Sequence, residues 1–291
     1  MKLKYNLRRN FNSKYASKYV QLNKGALGEP AIAFYQQCEN GKGATTTLQS
    51  VAHSILTNML HYNHFEANGI LNIYPMHLIS TEQIRTFFKH ANAPMTYTSW
   101  LDIGAGDGRI TSEFKPFATN MMTTETASSM AARLNKLGFT CYNGDLAAEE
   151  DTIEPQHKVA STSFDMVSLL NVLCRCPKPN TLLERVVAKL KANAKSKGWI
   201  LIAVPLPFEA FYYKDGQQLV PKERLMRRRR VTLEDWEEDA DRVMVTLEKK
   251  FQIEIQAFSR VPYISAEDMG MKPSVLDDLL VLGKITSCSS S

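Results

Sequence analysis

The stretch Trp100–Thr111, W-L-D-I-G-A-G-D-G-R-I-T, constrains this chain more than any other. An apolar run ends around an acid, Asp102, and glycines follow at alternating positions, Gly104, Gly106 and Gly108. Leu101 and Ile103 read as the end of a buried strand. The glycines read as a tight turn without side chains, so that a ligand can lie against bare backbone. Ile110 onward reads as the first turn of a helix whose free N–H groups face that ligand. The dinucleotide fingerprint G-x-G-x-x-G would put its third glycine one residue later, and it adds an acid about 20 residues on that holds a ribose. Here the loop is G-x-G-x-G, and Glu125 follows the apolar pair Met121–Met122.

The rest of the chain from Thr98 alternates strands with helices, which predicts a mostly parallel sheet with helices on both faces. Strands are expected at 98–103, 119–124, 140–143, 164–170, 199–204, 251–258 and 275–285. Helices are expected at 109–115, 126–137, 179–192 and 232–250, the last capped by Thr232 with Glu234 and Asp235 in its first turn. Residues 147–162 are polar and loop-like. Pro205-Leu-Pro207-Phe208 breaks the sheet, and 209–231 form a long insertion carrying Phe211, Tyr212, Tyr213 and the run Arg227–Arg230. An insertion of that length in an α/β fold is usually functional or mobile.

Residues 29–95 precede the sheet and read as helical, placed to serve as a lid or a substrate-side wall. Ala31–Gln37 and Leu48–Leu60 carry apolar residues at helical spacing, separated by Gly41–Gly43. His61 and His64 could share one helix face, but no third ligand stands nearby and no metal is expected. Asn68-Gly69 marks a turn. Ser80-Thr81-Glu82 caps a helix running to His90.

With 291 residues, 44% of them hydrophobic, the chain can bury a sizeable core as one large unit with an appendage or as two small ones. No stretch approaches the roughly 18 unbroken apolar residues of a membrane helix. The net charge of +5 is concentrated in residues 1–28, with seven Lys or Arg and no acid, and in Arg227–Arg230. The arm lacks the apolar segment of a secretory signal. It reads as a solvated basic arm, an anion contact or a mitochondrial presequence. Five irregularly spaced cysteines indicate a reducing compartment, and a cytoplasmic location is expected with mitochondrial targeting left open. The serine-rich tail 286–291 is expected to be disordered.

G-x-G-x-G preceded by an acid is similar to motif I of the S-adenosylmethionine (SAM) methyltransferases. Further stretches, T-E-T-A-S-S-M (124–130), N-V-L-C-R-C-P-K-P-x-T-L-L (171–183), V-P-L-P-F (204–208), R-V-P-Y (260–263) and V-L-D-D (275–278), resemble the DREV family of methyltransferases over roughly residues 50–285. The resemblance implies a Rossmann-like class I fold, α/β, with a seven-stranded mostly parallel sheet spanning 96–285. It implies SAM as cofactor, yielding S-adenosylhomocysteine, and methylation of a histidine ring nitrogen in His-x-His sequences of a protein substrate. By position, Asp102, Gly104, Gly106, Glu125, Asn171 and Tyr263 would hold the cofactor. Asn171 and Tyr263 would also position the acceptor, and Arg260 would close the pocket. Arg175, Phe208 and Tyr212 are the remaining substrate-side residues, the last two as an aromatic wall.

One departure stands out. The family's Asn-x-Leu-Asp-Arg-Cys element carries an aspartate at its fourth position, implied to bind the target imidazole, where this chain has Cys174. A carboxylate on one ring N–H fixes the tautomer and stabilises the positive charge that methylation creates. A thiol is a far weaker acceptor unless ionised. Cys174 is therefore read as an altered catalytic and substrate contact. Cys174 and Cys176 together make poor zinc spacing. Two alternatives stay open: a methyltransferase acting on RNA or a small molecule, to which the basic segments point, and a SAM-binding protein without turnover. The chain is expected to act as a monomer.

Overall fold

The computed structural model describes residues 5–7, 11, 13–41, 45–147, 163–192, 198–214, 217–226, 236–267 and 271–286. Its central parallel strands are β2 (Tyr97–Ile103), β3 (Ala118–Glu125), β4 (Thr140–Asn143), β5 (Met166–Leu170) and β6 (Trp199–Pro205). Two long strands, β9 (Ile253–Ser265) and β10 (Ser274–Ile285), complete the sheet with a two-residue edge strand, β1 (Met76–His77). The order is β1-β9-β10-β6-β5-β2-β3-β4. β10 runs antiparallel to both β6 and β9, and the pairs among β2 to β6 are parallel. This is the architecture that the resemblance implied, with eight strands rather than seven. The extra strand, β1, is too short to leave a periodic pattern and forms only because Met76 and His77 meet Ser265 and Ile264.

The alternating side chains of β2 divide between two cores. Leu101 and Ile103 enter one cluster with Val167, Leu169, Ile200, Ile202 and Leu279, covered by α7 (Pro179–Lys191) and α8 (Trp236–Phe251). Trp100 enters the other with Phe87, Phe88, Met166, Leu201 and Leu280, covered by α4 (Thr81–His90). Trp100 is fully buried, its ring 5.0 Å from Phe114 and 5.5 Å from Tyr97. β5 and β6 carry apolar residues on both faces because both faces are covered.

The N-terminal region also contains α1 (Glu29–Glu39), α2 (Thr47–Ser54) and α3 (His64–Leu71). α4 begins as expected, with Ser80 and Gln83 forming a reciprocal capping box. The expected continuous helix 48–60 instead ends in a π-turn over Ile55–Met59, and His61, at φ 57°, lies outside any helix. His61 and His64 therefore share no helix face. Histidine pairing falls to His53 and His64, whose rings are 5.4 Å apart. Asn68-Gly69 is likewise no turn but the body of α3. A Cβ at Gly69 would lie 2.3 Å from Ser129 Oγ, so the glycine serves close packing on α6 (Ser128–Lys136) rather than chain reversal. Nor is the described part of 1–28 a solvated arm. Tyr15 and Leu22 are buried, Tyr15 donates to Glu248 on α8 (2.8 Å), and the Val20 N–H donates to Phe258 on β9 (2.8 Å).

The helix expected at 109–115 is only α5 (Arg109–Ser112), followed by a 3-10 turn at Lys115–Phe117. β9 runs on through Arg-Val-Pro-Tyr, past the expected end at 258. Pro262 sits where β9 has β10 on one side and only the short β1, beginning two residues later, on the other. The insertion holds a hairpin, β7 (Tyr212–Lys214) and β8 (Gln217–Leu219). Arg227–Arg230, the Thr232 cap, the polar segment 148–162 and the tail 287–291 lie outside the described residues. No helix among the described residues is long and apolar enough to cross a membrane.

Candidate active site

The carboxyl ends of β2, β3 and β5 place three site elements at one edge of the sheet, where ligands bind in open α/β folds. β2 delivers the glycine loop. Gly104, Gly106 and Gly108 all take positive φ, at 69°, 57° and 81°. The loop is held from β3: the Gly104 and Ala105 N–H groups donate to the Thr124 carbonyl at 2.9 and 3.2 Å. A Cβ at Gly104 would lie 2.6 Å from Val172 Cγ2, so the glycine lets the segment after β5 close against the loop. A Cβ at Gly106 would meet only Met76 Cε, at 3.8 Å.

Asp102 lies beneath the loop, not in it. It is buried, and its oxygens accept from Ser168 Oγ (2.5 Å) and Thr111 Oγ1 (2.6 Å), while the Trp100 indole N–H donates to Ser168 (2.9 Å). Burial pushes its carboxyl up to about 6, against the pull of those two hydroxyls. Asp102 thus braces the loop from below. Ser168 and Thr111, absent from the sequence reading, complete that brace. The helix that follows is four residues long, and Asp107 Oδ1 takes the Arg109 N–H at 3.0 Å.

Glu125 ends β3. Its Oε2 accepts the Gly106 N–H (2.9 Å), and its Oε1 accepts the N–H groups of Thr126 (2.7 Å) and Ala127 (3.2 Å). The acid therefore sets the loop's shape directly.

β5 is followed by Asn171, which takes φ 60°, a left-handed conformation uncommon outside glycine and frequent at functional sites. Its Nδ2 donates to Asp278 Oδ2 on β10 at 2.8 Å, while its Oδ1 is buried without a partner among the described residues. Three residues on, Cys174 is fully buried, and its thiol donates to the Asn171 carbonyl at 3.5 Å. Burial pushes this thiol up to about 12, with Arg175 pulling the other way, so it is neutral. It packs beneath the segment and presents no surface of its own.

The structure separates two residues that the sequence reading put together. Tyr263 and Arg260 are three apart on a continuous strand and so occupy opposite faces of the sheet. Tyr263 shares its face with Asp278 and donates its hydroxyl to Met76 Sδ, which bridges towards Gly106. Arg260 points away, pairing with Asp277 and lying 4.8 Å from the Trp236 ring. It is a structural ion pair and does not close the site. The aromatic wall also shifts. Phe208 packs on the α7–α8 core with its N–H on Asp239 (3.3 Å), and Tyr212 pairs with Leu219. Phe211 is the ring that reaches the Asn171 segment: its N–H donates to the Cys174 carbonyl (3.0 Å), and the Arg175 guanidinium lies 3.9 Å from its ring. Tyr213 then approaches His64 at 5.7 Å, joining the insertion to the N-terminal helices.

The model of the DREV methyltransferase family matches residues 5–285 of this sequence. The chain belongs to the DREV family. Solved structures also align with this DREV protein. The N-methyltransferase NodS from Bradyrhizobium japonicum WM9, in complex with S-adenosylhomocysteine, does so at a TM-score of 0.43 and 12% identity, over 71% of this chain and 88% of that one. An S-adenosylmethionine-dependent methyltransferase from Clostridium acetobutylicum ATCC 824 gives 0.42 and 11%, over 71% and 91%. The N-terminal domain of EvdMO1 with S-adenosylhomocysteine bound gives 0.38 and 13%, over 71% and 81%.

The DREV chain is a methyltransferase whose cofactor is S-adenosylmethionine, and its own residues suit that group. Gly106 offers side-chain-free backbone, Glu125 stands at the end of β3 beside it, and Asn171 Oδ1 is a buried acceptor without a donor among the described residues. Sequence reasoning missed Asp278 except as part of V-L-D-D, although an acid inside V-L-D-D-L-L-V-L is a signal in its own right. Met76 left no signal, because only its pairing through β1 brings it to the loop.

Proposed function

We propose that this DREV methyltransferase methylates a ring nitrogen of histidine in a protein substrate, at His-x-His sequences. The observation that carries the reading is Asn171: left-handed, at the end of β5, with a buried Oδ1 that lacks a donor among the described residues. The N–H of a neutral imidazole supplies such a donor, which leaves the lone pair of the other ring nitrogen free for attack.

When bound, S-adenosylmethionine supplies an already activated methyl group, so the protein's task is position and exclusion of water. Gly104, Gly106 and Glu125 hold the cofactor side. Asn171 Oδ1 accepts the ring N–H and so selects the tautomer. Tyr263, whose phenol burial lifts well above its usual range, stays protonated and walls the pocket from β9. Cys174, as a neutral thiol, supplies packing but no charge. A second reading rests on that residue. A neutral thiol stands where the DREV resemblance implies an aspartate, which suits a SAM-binding protein without turnover.

The test is label transfer from radioactive S-adenosylmethionine to peptides carrying Ala-His-Ala-His or Ala-Ala-Ala-His, with Glu125→Ala as control. Label on the His-x-His peptide, lost in the control, supports the histidine reading. S-adenosylmethionine affinity without label on any histidine overturns it in favour of the second reading. Label that goes instead to RNA, lost at high salt, moves the chain to nucleic-acid methylation.

A further inference from the structure

The mechanism above leaves the buried acid Asp278 unused. Asp278 has no solvent exposure and sits mid-sheet, paired with Pro205 on β6 and Val261 on β9. Its Oδ2 accepts the Asn171 Nδ2–H, and its Oδ1 is buried without a partner among the described residues. The contrast with its neighbour is instructive. Asp277, on the other face, accepts from Nε and Nη2 of the Arg260 guanidinium. Asp278 has no ion pair among the described residues. The cation nearest in influence, Arg175, is committed to the Cys174 and Glu209 carbonyls and to the Phe211 ring. Leaving a buried carboxyl unpaired is costly, and a neutral amide could hold Asn171 equally well. Asp278 also lies within electrostatic reach of Cys174 and Tyr263.

We propose that Asp278 is a positioning residue that supplies, through Asn171, the negative charge that Cys174 cannot. This rests on the histidine reading. Asp278 accepts the Asn171 Nδ2–H, which turns Asn171 Oδ1 towards the acceptor's ring N–H and polarises the amide so that Oδ1 becomes a stronger acceptor. In the transfer, the free ring nitrogen's lone pair forms the bond to the methyl carbon. The sulfur–carbon bond breaks with its electron pair going to sulfur, and the sulfonium's positive charge passes to the ring. The ionised Asp278 carboxylate, one amide away, balances that charge. The methylated ring then releases its N–H proton to solvent and leaves as neutral methylhistidine.

The reactive state needs Asp278 ionised and the acceptor ring neutral, so the acidic limb of the pH–rate profile belongs to the pair. The groups around Asp278 push in known directions. Burial and Asp277 favour its protonated form and Arg175 its ionised form, while Tyr263, Cys174 and Tyr5 are neutral beside it. In Asp278→Asn only the ring titrates, with no anion to retain its proton, so the limb moves to lower pH.

The experiment compares wild type, Asp278→Asn, and the double variant Asp278→Asn/Cys174→Asp on the Ala-His-Ala-His peptide, with S-adenosylmethionine affinity measured by calorimetry. Asn replaces Asp with nearly the same shape and removes a buried acid, so the variant folds. The expected result is a kcat about 100-fold lower in Asp278→Asn, with cofactor Kd within about twofold. The acidic limb shifts down by about one pH unit, and activity recovers by about tenfold or more when Cys174→Asp returns a carboxylate. A kcat within about threefold of wild type with an unmoved limb overturns the proposal. A loss with neither limb shift nor recovery also overturns it, since that is the signature of packing alone. Wild type that binds the cofactor but labels no histidine overturns the histidine reading and this proposal together, which separates the two failures.

Discussion

Asp278→Asn should make the protein more stable as pH rises. An exposed carboxyl in the unfolded chain titrates near 3.9, whereas burial pushes Asp278 up to about 8, with Asp277 adding to the shift and the Asn171 and Arg175 contacts opposing it. Between those values the native protein binds one proton more than the unfolded chain. Wild-type stability therefore falls by about 1.4 kcal/mol per pH unit from this group alone. The contribution is fully present below pH ~4 and is lost as pH passes through about 8. From pH 5.5 to 7.5 the loss is about 3 kcal/mol. The asparagine variant keeps an acceptor for the Asn171 Nδ2–H but has no such slope. Other titrating groups, such as Asp102, are common to both proteins and cancel. Urea denaturation followed by tryptophan fluorescence at several pH values gives the difference directly. The variant-minus-wild-type unfolding free energy should rise by about 3 kcal/mol over that interval. A difference flat to within about 0.5 kcal/mol would refute the reasoning, because it would mean that the carboxylate is already ionised and compensated in the folded state.

Two further outcomes follow from the loop and its cover. Gly106→Ala places a Cβ at φ 57° in ordinary contact with Met76 Cε at 3.8 Å, so it should cost only the left-handed strain, about 1–2 kcal/mol. Gly104→Ala adds a Cβ 2.6 Å from Val172 Cγ2 and should cost about 1–3 kcal/mol more, as overpacking does; equal losses by denaturation would contradict the packing argument. Glu66 caps α6 from α3 by accepting the Ser129 N–H (2.8 Å) and the Ser128 N–H. Glu66→Ala should cost about 1 kcal/mol and speed amide exchange in α3 ahead of the sheet; unchanged exchange in α3 would contradict its role as the tie between the two helices.

What was legible in the sequence was local. The glycine loop, the acid at the end of the next strand and the Ser80 cap each follow from residues within a few positions of one another, where backbone conformation and hydrogen bonding decide the outcome. The strand at 140–143 was legible for the same reason. Cys174 stood out because a thiol replaced an acid in an otherwise recognisable element.

The tertiary structure decided what depended on distant partners. Gly69 sits inside a helix because α6 packs against it, although Asn-Gly alone favours a turn. Arg260 and Tyr263 separate to opposite faces because the sheet continues through Pro262, beside β10. In the N-terminal segment Lys14 binds Glu248 on α8 and Lys18 the Ile255 carbonyl on β9, which a count of charges does not reveal. Most of all, Asn171 and Asp278 meet across 107 positions of sequence. A hydrogen bond of that span leaves no periodicity to read. It forms only when β10 inserts antiparallel beside β6 and carries its unpaired acid to the end of β5.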